Sequence, residues 1–90
     1  MNEQRRKELR SVSKDLDVLS EILNHEAGGE DESYDNMPES LQDTEKGQTL
    51  KENAETLYRL QDVIDGVIEE IDKLTGTKPS VHTYTLKEGE

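Results

Sequence analysis

The sequence predicts an all-α fold: an antiparallel helical hairpin that assembles into a helical bundle, with a non-helical C-terminal tail. Three observations predict it. Apolar residues recur at heptad spacing in two separate segments, an acidic stretch containing a proline divides them, and there is little apolar material to close a core. Leu, Ile and Val total 19 of 90 residues, Phe and Trp are absent, and charged residues make up 37%. That composition lies near the level at which a chain no longer folds alone. The missing cover is therefore expected from other copies, as a homo-oligomer and most simply a dimer.

The first helix is expected from Asn2 to about Ala27. Leu9, Val12, Leu16, Leu19 and Leu23 follow one another at spacings of 3, 4, 3 and 4, the a/d signature of a helix with one apolar seam. Val18 and Ile22 widen that stripe, which suits a bundle better than a two-stranded coil. Gly28 and Gly29 supply an expected stop, because glycine is favoured just past a helix end.

A second helix is expected to begin between Ser40 and Thr49, where two capping-box spacings compete: Ser40 with Asp43, and Thr49 with Glu52. Its a positions are Leu50, Leu57, Ile64 and Ile71, and its d positions Leu60, Val67 and Leu74. Ala54 stands near the missing earlier d position, Val63 and Ile68 flank the seam, and Gly76 marks the end. The expected oligomer core is thus Leu9, Val12, Leu16, Leu19 and Leu23 with Leu57, Leu60, Ile64, Val67, Ile71 and Leu74. The hairpin domain covers residues 1–76 with a linker of about 28–43, and the second helix is expected to outrun the first. Residues 77–90 form a tail in which "SVHTYTL" alternates like a short edge strand, or which is disordered.

Within the linker, Pro38 interrupts any continuous helix. Pro38 to Leu41 can open a short helix instead, with Met37, Leu41 and Tyr34 closing the end of the bundle. The run "YDNMPESLQDTEKGQ" between two heptad helices resembles a family of small uncharacterised helical proteins of phages and prophages. The specific part is Asp35, Asn36, Met37, Pro38, Glu39, Leu41 and Gln42, a D-N-[ML]-P-E-x-L-Q segment. The resemblance implies an accessory protein made in the host cytoplasm, and by analogy one that acts by binding, as an inhibitor of host defence or a sponge for nucleotide immune signals.

The charge narrows the partners. The net charge is −11, which argues against direct nucleic-acid binding and against anionic membranes. No segment has the apolar length of a membrane span, and the expected location is cytoplasmic. Arg5, Arg6, Lys7, Arg10 and Lys14 crowd the start of the chain, whereas Glu26 to Glu45 holds eight acidic residues and no Lys or Arg. Basic side chains in a first helical turn oppose the macrodipole. They are expected either to complement an acidic segment or to form an anion pocket where helix N-termini converge. The candidate ligand set is Arg5, Arg6 and Arg10 for phosphate, with Tyr34, Asn36 and Gln42 reading a base and ribose. No cofactor or metal is expected. Glu30, Asp31, Glu32 and Asp35 lack the calcium-loop spacing, and His25 and His82 stand alone. No activated nucleophile or phosphate loop is visible, so no catalytic residue is assigned. The leading expectation is non-enzymatic capture of a phosphate-bearing nucleotide signal. The alternatives are an acidic protein-interaction module or nucleic-acid mimic that inhibits a host protein, and a plain coiled-coil adaptor.

Overall fold

The computed structural model describes residues 1–77, and the expected tail strand lies outside them. Among the described residues the fold is all-α. Helix α1 spans Glu3–Asp35, α2 is a single turn at Glu39–Gln42, and α3 spans Glu45–Thr75. α1 and α3 lie side by side and run antiparallel. Four cross-helix pairs set their register: Arg10 with Thr75, Ser13 with Asp72, Ser20 with Asp65, and Tyr34 with Lys51. In each pair the two residue numbers sum to 85, so one register holds along the whole length.

The ends are capped by their own residues. The Asn2 side chain accepts from the Arg5 N–H at 2.8 Å to start α1. Thr44 caps α3 by accepting from the Gly47 N–H. Gly76, at φ 74°, turns the chain out of α3, and the Thr77 N–H closes back on the Asp72 carbonyl at 2.9 Å. That left-handed turn favours glycine.

The structure corrects two expectations. α1 does not stop at Gly28-Gly29 but continues for two more turns, so the connection between the long helices is Asn36–Thr44 rather than 28–43. The helices are consequently near equal, with 33 and 31 residues. The cause is tertiary. Ala27 is fully buried, and Glu30, Asp31 and Tyr34 are half-buried where the register sets them beside α3. Helical glycine costs about 1 kcal/mol relative to alanine, which such packing offsets.

The second correction concerns what fills the seam. Its central rows are small or polar apart from Ile68: Ser13, Ser20, Ala27 and Tyr34 on α1 face the row Gly47, Ala54, Gln61, Ile68 and Thr75 on α3. Among the described residues, Ala27, Ala54 and Ile68 are the buried hydrophobic ones, and no large side chain is fully buried. Small residues let two helix axes approach to the short end of the ~8–10 Å range. The leucine stripe is displaced to one flank. Leu9, Leu16, Leu23, Leu57, Ile64 and Ile71 line its inner edge and are half-buried. Val12, Leu19, Leu60, Val67 and Leu74 lie outside them at 38–61% exposure.

Candidate functional site

At 100° per residue, this register puts the displaced stripes of α1 and α3 on the same side of the pair. Ile22 and Val63, at 51% and 55% exposure, extend that side outward. The result is one continuous apolar face, spanning the level of Val12 to Leu23 on α1 and Leu57 to Leu74 on α3. Its length is about 26 Å at 1.5 Å per residue. Exposed leucines scattered singly are ordinary, whereas a contiguous patch of this kind marks a contact surface.

The opposite flank is polar. The Ser20 hydroxyl, 4% exposed, donates to Asp65 Oδ1 at 2.7 Å, and Ser13 donates to Asp72 Oδ1 at 3.0 Å. Tyr58 stands near Asp31 on this flank. Partial desolvation, and then the Asp31 carboxylate, push its phenol above the ordinary value of 10.0. Near the open end, a cleft of about 250 Å³ lies between the helices. Its lining includes Arg10, Lys14, Asp17 and Asp72, two charges of each sign.

The six proposed ligand residues fall into two groups at opposite ends of the pair. Arg5 and Arg10 precede Tyr34 by 29 and 24 residues on one helix, or roughly 44 and 36 Å along its axis. At the open end, Arg6 pairs with Glu3 at 3.5 Å. Arg10 pairs with Glu3 at 3.2 Å and donates to the Thr75 carbonyl at 3.5 Å. That places a cation on the C-terminal carbonyls of α3, where the macrodipole favours it. Arg5 makes no ion pair among the described residues.

At the tip the polar groups serve the turn itself. The Gln42 amide donates to the carbonyls of Tyr34, at 3.1 Å, and Met37, at 3.4 Å. Asn36 ends α1 through its own N–H on Glu32, at 2.9 Å. Lys51 stands over the Tyr34 ring at 6.0 Å, the outer limit of a cation–π contact. Gly47 passes so close beneath α2 that a Cβ there would fall 2.3 Å from the Gln42 carbonyl oxygen. Sequence reasoning passed over Gly47; its signal was a glycine in the first turn of a helix, where nothing about propensity asks for one.

Among the described residues, no three His, Asp or Glu side chains converge as a metal site would require, and no helix is long and apolar enough to cross a membrane. Comparison with protein-family models, curated proteins and solved structures finds no match.

Proposed function

We propose that the chain is a non-enzymatic binding protein: a helical hairpin that works by association through its apolar face, completing a helical bundle with what it binds. One observation carries this reading. Val12, Leu19, Ile22, Leu60, Val63, Val67 and Leu74 are exposed together on one side, while on the other Ser13 and Ser20 bond Asp72 and Asp65. Covering such a surface is favourable by roughly 25 cal/mol per Å² of apolar area. The resemblance of Asp35–Gln42 to phage and prophage proteins supports a phage accessory role, with counter-defence by occupying a surface as the working form. Sequestration of a nucleotide by Arg5, Arg6 and Arg10 with Tyr34, Asn36 and Gln42 would need two chains, since one chain holds these groups apart.

A photo-crosslinking side chain placed at Val63 tests the reading in cells, with the same group at exposed Lys14 on the polar side as control. The expected result is a protein adduct from Val63 and none from Lys14. Equal labelling from both positions, or none from either, overturns it.

A further inference from the structure

We infer that the occupant of the apolar face is a second copy of this chain, laid antiparallel to the first so that the arginine end of each copy meets the acidic tip of the other. The inference rests on the association reading above and adds partner and orientation to it.

The first argument is geometric. By the register, Leu74 lies level with Ser11, and Leu57 level with Gly28. The face therefore centres between Leu19 and Ser20, and α1 itself, Glu3–Asp35, has its midpoint at Leu19. A two-fold axis across the helices at that level turns the face onto itself, as an isologous contact requires. A patch nearer one end would be left half uncovered. With a length of about 26 Å and the width of two packed helices, it offers on the order of 500 Å² per copy. Two copies then reach roughly the 1,000 Å² that a specific interface needs.

The second argument is charge. The tip half of the pair, residues 20–65, carries thirteen acidic and three basic side chains. The open half, residues 1–19 and 66–77, carries seven acidic and six basic. A parallel mate would set one strongly negative half beside another. An antiparallel mate sets the tip beside Arg5, Arg6, Lys7 and Arg10 instead.

The third argument is local. Arg5, Val12 and Leu19 follow at intervals of seven on the open side of α1. The antiparallel two-fold at the level between Leu19 and Ser20 stacks α1 on α1 and sets Arg5 level with Tyr34 of the mate, beside the acidic Asp31 and Asp35. Arg5 has no ion-pair partner within the described chain. The same arrangement brings the basic end of one copy to Tyr34 and Gln42 of the other, joining the two halves of the ligand set that a single chain separates.

Sedimentation equilibrium and spin-label distances on the full chain decide it. The protein has no native cysteine, so S33C carries one label, at an exposed position near the tip. A dimer with tip labels about 40–50 Å apart is expected, and labels within about 25 Å would mean parallel copies and overturn the orientation. Reversing the Arg5 charge, in R5E, should weaken the dimer about three- to tenfold, because it sets a negative charge beside the acidic tip of the mate. Circular dichroism confirms that each variant is folded. An R5E dimer as tight as the wild type overturns the meeting of the arginine end with the acidic tip. A folded monomer at micromolar concentration overturns the second copy altogether, and a Val63 adduct to a different protein would then leave the association reading standing.

Discussion

Gly47 and Gly28 both sit inside α-helices, and substituting alanine should move stability in opposite directions. At Gly47 the new methyl meets backbone oxygen at 2.3 Å, and backbone cannot swing aside as a flexible side chain would. G47A is expected to lose about 1–3 kcal/mol in urea unfolding, as overpacked sites do. At Gly28 and Gly29 a Cβ meets nothing within 4 Å. G28A and G29A should each gain about 0.5–1 kcal/mol, the propensity difference in a helix interior. Tyr58 gives a pH signature. Its folded pKa is raised above the ordinary 10.0, so its contribution is complete below that pH and is lost as pH rises through the folded value. Y58F should therefore lose that contribution at neutral pH and flatten the loss above pH 10, measured by urea unfolding across the alkaline range.

The helices show which part of the design sequence patterning reveals. Heptad leucines are conspicuous, and the stripe they define is present on both elements. Which side of each helix faces the other was not legible, because the a/d rule assigns the seam to the largest apolar residues. Here the closest rows hold Ser13, Ser20, Ala27, Gly47 and Ala54, whose small volume permits an approach that leucine would block. The same blindness misplaced the end of α1: Gly28-Gly29 reads as a stop only when the partner helix is left out. For the candidate site, Gln42 and Asn36 at the tip are engaged in ending α1. Their capping geometry depends on α2 folding back, which no periodicity encodes. At this scale, A27L should cost about 1–3 kcal/mol by forcing the axes apart. S20A should cost about 1 kcal/mol through the lost hydrogen bond to Asp65. Both are read from denaturant midpoints at constant m-value.

For the molecule as a whole, Val67 and Ile64 separate folding from association. Ile64 lies on the half-buried inner edge, and Val67 lies outside it at 43% exposure. I64D sets a charge where the two long helices meet and should abolish the cooperative thermal transition at any concentration. V67D spares the intrachain seam. It should remove the rise of Tm with protein concentration that an associating chain shows, while helical structure survives at low temperature. A wild-type Tm independent of concentration would instead mean that the paired helices stand without cover.

The sevenfold spacing of the cross-helix pairs has a less obvious consequence. Sliding α3 by one heptad would bring Ser13 to Asp65, or Ser20 to Asp72, and restore half of the hydroxyl–carboxylate bonds. A ratchet whose teeth are identical cannot tell one notch from the next. The distinction must come from something that does not repeat, and the tip has that character: Gly47 admits α2 at one height only, and Gln42 ties both ends of the turn together. The nine residues from Asn36 to Thr44 thus act as the pawl. They set which of several nearly equivalent alignments the two long helices adopt, and with it which leucines are left facing outward.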